Sequence, residues 1–165
     1  MAKKTAKNQS SGNLADKPPL NSELMHQKLK GDTFPEDFNG FLDENIKKFF
    51  IELFEQKGMV RADIIRKANI DQTYGYQLMD GRRIGNRDYY LSIAIAMALD
   101  LRTTQRMLAV TCKGALHSLI IRDAAVIFAI NHGYDIEKTY DFMCELDVPP
   151  LDTGLNNNDD DDGDE

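Results

Sequence analysis

The chain has 165 residues and a formal net charge of −7, a length that suits one domain with a hydrophobic core and flexible tails. Its apolar stretches are far shorter than the roughly 20 residues needed to cross a bilayer, and two cysteines are too few for a disulfide scaffold. The charge is unevenly distributed, with +3 on residues 1–19 and −7 on residues 151–165. The body is therefore only mildly acidic, and a nucleic-acid partner is not excluded.

Composition marks both ends of the chain. Residues 1–20 are rich in Lys, Ser, Asn and Pro, and residues 151–165 end in runs of Asn and Asp. We expect a disordered basic tail and a disordered acidic tail. The N-terminus lacks the apolar segment of a signal peptide, so we also expect a cytoplasmic protein with reduced thiols.

Residues 21–45 predict an N-terminal helical extension. Asn21 or Ser22 suits the cap of a short helix that ends before Gly31, and Pro35 suits the start of a second helical stretch. From residue 46 onward, apolar residues recur at three- and four-residue steps and predict an amphipathic helix that ends at Gly58. These apolar positions are Ile46, Phe49, Phe50, Leu53 and Phe54.

Two short helices and two longer ones are predicted next. The first short helix covers residues 61–68, and the second begins after the cap Asp71 and ends near Met79. A basic loop leads to an apolar helix that starts at Asn86 or Asp88 and reaches residue 99, and Thr103 or Thr104 is expected to cap the fifth helix of the 46–110 region. The sequence therefore predicts an all-α fold.

The region 115–150 predicts a C-terminal helical pair, with helices over residues 121–131 and 135–146. The apolar surface of this pair is too large to stay exposed. We expect it to pack on the preceding domain or against a second copy of the chain, and the sequence does not choose between them.

Two spacings in the middle of the chain resemble a known family. They are Ala62-x5-Ala68-Asn69-Ile70-Asp71-Gln72 and Gln77-Leu78-x2-Gly81-Arg82. They resemble the Cro/repressor-type (XRE) helix-turn-helix proteins over about residues 46–110, and the strings YGYQLMDGRRxxxRDYY and RDAAVIFAINHG resemble small regulators of gut-type Firmicutes. The resemblance implies a five-helix domain with a recognition helix at about residues 71–79. It further implies a repressor-like transcription regulator that binds double-stranded DNA in a sequence-specific way.

The resemblance also implies roles for individual residues. Glutamine can pair with the N6/N7 edge of adenine, which makes Gln72 the first candidate for base readout, and the arginines near the recognition helix suit phosphate oxygens. The candidate base contacts are Gln72, Thr73, Tyr76 and Gln77, and the candidate phosphate contacts are Arg61, Arg82, Arg83, Asn86 and Arg87. Two positions depart from the family pattern: Gly75 replaces a usual core Val or Ile, and Met79 replaces a common Glu. We expect Tyr74 or Tyr76 to fill the space beside Gly75.

Other functions find little support in the sequence. No phosphate-binding loop, nucleophile elbow or paired-carboxylate motif indicates an enzyme. No ligand spacing joins His117, His132, Cys112 and Cys144, so we expect no metal or cofactor and treat the cysteines as small buried side chains. The alternative hypothesis is a protein-interaction module on a helix-turn-helix scaffold that has lost DNA binding. The aspartate run is interpreted first as a solubilising segment, and otherwise as an intramolecular phosphate mimic that competes with DNA.

Overall fold

The computed structural model describes residues 22–36 and 38–155, and all regular elements in these ranges are α-helices. The helices, in chain order, are α1 Ser22–Lys28, α2 Phe38–Lys57, α3 Arg61–Lys67, α4 Gln72–Met79, α5 Arg87–Ala96, α6 Leu101–Val110, α7 Ile121–Asn131 and α8 Ile136–Glu145. The all-α prediction is confirmed for the part of the chain that the structure describes. The expected tails at 1–20 and 156–165 and the cap Asn21 lie outside the described residues.

α2 is one continuous helix of 20 residues, so the expected division near residue 45 between an extension and the following helix is wrong. Its apolar stripe is almost fully buried, with Ile46 and Phe50 at 0% exposure and Phe49 at 2%. Because no Pro or Gly interrupts the run after Gly40, the backbone has no local reason to break there.

Local chemistry fixes the ends of α3 and α4. The turn between them contains Asn69 at φ +54°, a conformation that asparagine tolerates. The side chain of Asp71 accepts a hydrogen bond from the backbone N–H of Tyr74 at 2.9 Å and caps α4. Gly81 follows α4 at φ +73°, and a Cβ there would lie 2.5 Å from the carbonyl oxygen of Asp43. This glycine therefore lets the end of α4 approach α2.

The limits of α5 and α6 differ from the prediction. α5 ends at Ala96, followed by Ala98 at φ +52°, so the helix stops before Leu99. α6 begins at Leu101 because Asp100, rather than Thr103 or Thr104, is its cap and accepts a hydrogen bond from the Thr103 N–H at 2.7 Å. The hydrogen bonds from Thr103 also lower the pKa of the Asp100 carboxyl below its ordinary value.

The C-terminal pair packs on α5 and α6 of the same chain. Val126 and Ala129 of α7 and Met143 of α8 are buried in this contact. The prediction of small buried cysteines is wrong, since both Cys112 and Cys144 are exposed. Cys112 has φ +56° just after α6, and Cys144 neighbours the inward-facing Met143.

Candidate nucleic-acid interface

α4 has a buried side and an exposed N-terminal end. Gly75, Leu78 and Met79 are buried against the core, whereas Gln72 and Thr73 are exposed. The departure at Met79 thus provides a core side chain with 0% exposure. The helix is held by its inner side while its first two residues stand in solvent.

Gly75 lies where α4 comes closest to α3. A Cβ at this position would lie 2.7 Å from Cγ2 and 2.8 Å from Cγ1 of Ile65. The expectation that Tyr74 or Tyr76 fills the space beside Gly75 is wrong, because Ile65 fills it. Tyr74 instead packs edge-on against Tyr89, with ring centroids 4.9 Å apart.

The other two candidate base contacts are less accessible. Tyr76 and Gln77 are partly buried, and Tyr76 packs against the hydrophobic core. Of the four candidates, the structure therefore presents Gln72 and Thr73 most openly.

The candidate phosphate contacts around α4 share one carboxylate. Asp80, directly after α4, binds Arg61 at 3.0 Å and Arg82 at 3.3 Å. The Arg82 side chain is 73% exposed, and Arg83 beside it is exposed as well. Exposed polar side chains thus lie at both ends of α4, and we name them together the α4 face: Gln72 and Thr73 at its start, and Arg82 and Arg83 after its end.

Arg87 makes a different contact, which joins the start of α5 to the start of α7. Its guanidinium donates through both terminal nitrogens to the carboxylate of Asp123, which also accepts the backbone N–H of His117 at 2.9 Å. In the reciprocal pair, Arg122 donates to both carboxylate oxygens of Asp88 at 3.0 and 2.8 Å. These hydrogen bonds raise the pKa of Arg122. We name the two pairs the ion-pair clamp.

The loop before α5 is fixed at its end. The side chain of Asn86 caps α5 by accepting a hydrogen bond from the backbone N–H of Asp88 at 3.0 Å. The backbone N–H of Gly85 donates to the hydroxyl of Tyr90 at 3.3 Å. Burial raises the pKa of Tyr90 to about 12.

The segment after α8 returns to the α3–α4 turn, which sequence reasoning missed when it assigned residues 151–165 to a disordered tail. Leu151 is buried, the backbone N–H of Asp152 donates to Asp88 at 3.0 Å, and the hydroxyl of Thr153 donates to the carbonyl oxygen of Asn69 at 2.6 Å. The apolar Leu151 just after two prolines was the available signal. For residues 151–155 the disorder prediction is wrong.

A cleft of about 940 Å³ lies beside this segment. Asn69 of the turn, Ser92 of α5, Tyr140 of α8 and Thr153 contribute to its walls. The cleft separates the C-terminal pair from the α3–α4 turn along part of their length.

The described residues offer no metal site and no membrane span. They contain no group of three or more His, Cys, Asp or Glu side chains that could hold a metal ion. None of the described helices is long and apolar enough to span a membrane. No protein-family model, curated protein or solved structure matches the chain.

Proposed function

We propose that the chain is a cytoplasmic, repressor-like transcription regulator that binds double-stranded DNA in a sequence-specific way. In this proposal the domain has the Cro/repressor-type (XRE) helix-turn-helix arrangement over residues 46–110, and α4 enters the major groove. The protein acts by occupying its site on DNA rather than by chemistry.

The supporting observation is the exposed polar end of α4. Gln72 and Thr73 are exposed on a helix whose inner side is fixed by Gly75 and Leu78. A rigid helix with an exposed glutamine at its start suits base readout, because a bidentate amide contact needs a fixed geometry. Gln72 is the first base contact in this proposal, followed by Thr73 and Gln77, with Tyr76 last because it packs on the core.

The phosphate contacts follow the accessibility of the cations. Arg82 and Arg83 are exposed next to α4 and are the principal phosphate ligands in this proposal. Arg61 can exchange its contact with Asp80 for a phosphate. Asn86 and Arg87 begin α5, where their hydrogen bonds within the chain give them first a role in positioning the loop.

Affinity selection of fragmented genomic DNA tests readout directly. The purified chain is incubated with the fragments at about 150 mM salt, in parallel with a Gln72→Ala/Gln77→Ala variant. Enrichment of one motif that the variant loses or alters supports the proposal. Enrichment that is indifferent to both glutamines contradicts it.

Single substitutions on the selected site separate readout from positioning. Gln72→Ala should weaken binding by about 1 to 3 kcal/mol and relax the preference at one base pair, whereas Arg82→Ala should weaken all sequences alike and flatten the salt dependence. The matched controls are Gln56→Ala on α2 and Arg102→Ala on α6, two exposed residues of the same types. Equal losses in the candidates and the controls would refute the assignment of the α4 face.

The stoichiometry of the complex can be measured in the same preparation. A homodimer through the C-terminal helices, one of the two arrangements expected from the sequence, would place two recognition helices about 34 Å apart in successive major grooves. α7 leaves Ile121 63% and Phe128 41% exposed, on the side available to a second copy. A mass of two chains by sedimentation, together with a palindromic motif, supports this arrangement, and one chain per site contradicts it.

One observation favours the second candidate, a protein-interaction module that has lost DNA binding. Leu119, Ile120 and Ile121 form an exposed apolar run, with exposures of 88%, 54% and 63%, and exposed apolar side chains in series are typical of protein contacts. Heparin chromatography at low salt discriminates the two functions. A DNA-binding surface is retained and elutes with salt, whereas an acidic adaptor flows through.

A further inference from the structure

The described chain ends beside the α3–α4 turn. The hydroxyl of Thr153 is bound to the carbonyl oxygen of Asn69 at 2.6 Å, two residues before the cap Asp71. A Cβ on Gly154 would lie 3.3 Å from the hydroxyl of Tyr89, so the chain is still against the body at that point. The residues after Leu155 therefore start next to the α3–α4 turn, which leads directly into α4.

The residues that follow are strongly acidic. Residues 156–165 contain five aspartates and one glutamate and no basic residue, a net charge of −6. Residues 61–87 contain six basic and three acidic residues, a net charge of +3 on a chain whose total is −7. The acidic segment therefore begins beside a stretch of net positive charge.

From these observations we propose that residues 156–165 bind the α4 face within the same molecule and compete there with DNA phosphate. Aspartate carboxylates form charge-assisted hydrogen bonds with guanidinium groups, as phosphate oxygens do. Arg82 and Arg83 are the principal contacts for the segment. The inference rests on the proposed function, since the surface that it occupies is the one assigned to DNA.

The segment is long enough to reach this surface. Ten extended residues span about 33 to 36 Å, whereas the eight residues of α4 measure about 12 Å along the helix axis. Thr153 anchors the chain next to this surface, and a short tether gives the segment an effective concentration of about the millimolar range. The segment therefore binds more readily than a free acidic peptide of the same sequence would. A weak contact is therefore sufficient to occupy the α4 face for part of the time.

Occupancy of this kind lowers the apparent affinity for DNA by a modest, salt-dependent factor. If the equilibrium constant for docking of the segment is near unity or somewhat above it, we expect the affinity for DNA to fall by about two- to tenfold at low ionic strength. Because exposed charges are screened within about 10 Å at 0.1 M salt and about 3 Å at 1 M, the factor should shrink as salt is added. The factor is the same for every DNA sequence, because the segment must leave the α4 face whichever site is bound.

The test uses a full-length variant in which the segment keeps its length and loses its charge. Its substitutions are Asp159→Asn, Asp160→Asn, Asp161→Asn, Asp162→Asn, Asp164→Asn and Glu165→Gln. A matched control neutralises three exposed carboxylates of α8 instead, by Glu137→Gln, Asp141→Asn and Glu145→Gln. The probe is a duplex of about 20 base pairs of arbitrary sequence, titrated by fluorescence anisotropy at several salt concentrations, since non-specific binding is electrostatic.

We expect the neutral-segment variant to bind the duplex about two- to tenfold more tightly than the wild type at about 50 mM salt. The α8 control should change little. Equal affinities of the wild type and the variant would overturn it. A gain per removed charge that is as large in the α8 control would also overturn it, because general repulsion would then explain the effect.

A second measurement without DNA separates this inference from the proposed function. In ¹⁵N spectra, the amide signals of Gln72, Arg82 and Arg83 should shift between the wild type and the neutral-segment variant, while signals from α2 stay in place. Unchanged signals on the α4 face refute docking of the segment. If neither protein binds DNA at any salt concentration while these signals shift, the proposed function fails and the intramolecular contact stands.

Discussion

Replacing Arg87 by alanine tests the ion-pair clamp. The carboxylate of Asp123 is 2% exposed and binds the Arg87 guanidinium through both oxygens. Among the described contacts, the Arg87→Ala variant leaves it the backbone N–H of His117 as a donor. A nearly fully buried negative charge then loses its hydrogen-bonded positive partner and keeps only the electrostatic attraction of Arg122. Removing one partner is the costly way to disrupt a buried ion pair.

The expected cost follows from burial. Removing one partner of a buried ion pair destabilises a protein by about 3 to 5 kcal/mol. The Arg87 side chain is 28% exposed, so solvent screens part of the attraction, and we expect the lower end, about 3 kcal/mol. With a urea m-value of about 2 kcal/mol per M, the unfolding midpoint should fall by about 1.5 M.

Urea unfolding followed by circular dichroism measures this loss without adding salt. A double-mutant cycle with Asp123→Ala should give a coupling energy of at least about 1.5 kcal/mol, because the double variant buries no isolated charge. Arg83→Ala, a change at an exposed arginine, is the control and should stay within about 0.5 kcal/mol of the wild type. An Arg87→Ala protein that unfolds at the wild-type midpoint, or a cycle that is additive, would refute a structural role for the clamp and return Arg87 to the phosphate contacts.

Three further predictions concern single contacts. Gly75→Ala should cost about 1 to 2 kcal/mol, because the clash with Ile65 outweighs the gain in helix propensity, and the same change in an Ile65→Ala background should be neutral or stabilising in urea titrations. Asp100→Ala should cost about 1 kcal/mol at pH 7. The pKa of Asp100 is lowered in the folded chain, so its carboxylate contributes its full stability above the pKa of the unfolded chain and loses it as the pH falls through the folded pKa. The difference in free energy of unfolding between variant and wild type should therefore shrink below about pH 4. Equal differences at pH 7 and pH 3 would contradict this. Thr153→Val removes the hydrogen bond to Asn69, a loss of about 1.4 kcal/mol. The rate of amide hydrogen exchange over residues 151–155 should therefore rise about tenfold. Unchanged exchange would show that the hydroxyl does not hold the segment.

Elements whose ends depend on nearby residues were predictable from the sequence. Asp71 caps α4 as expected, Asn86, one of the two expected starts, caps α5, and Gly58 follows α2 with positive φ. Capping residues and glycines act within a few positions of the chain, so their chemistry is visible without a structure. The same local reasoning failed at α6, where an aspartate and two threonines offered competing caps.

Contacts between distant positions were not predictable in the same way. Asp123 lies 36 residues from Arg87, and nothing in the sequence between them indicates the pairing. An arginine beside a recognition helix matches a phosphate contact equally well by residue type. The contact of Gly75 with Ile65 was missed for a related reason, since helical periodicity tells which residues face inward but not which neighbour fills the space.

The arginines of the α4 face are carried by a short loop with fixed ends. At its start, Gly81 lies against the backbone of Asp43. At its end, Gly85 donates to the buried hydroxyl of Tyr90, and the ion-pair clamp holds the first residues of α5 that follow. A backbone ordered in advance has less conformational entropy to lose when its side chains bind an anion. An acidic protein can therefore bind a polyanion through a small, rigid set of cations, and in this chain we expect that binding to weaken when the clamp is removed, even for variants that keep Arg82 and Arg83.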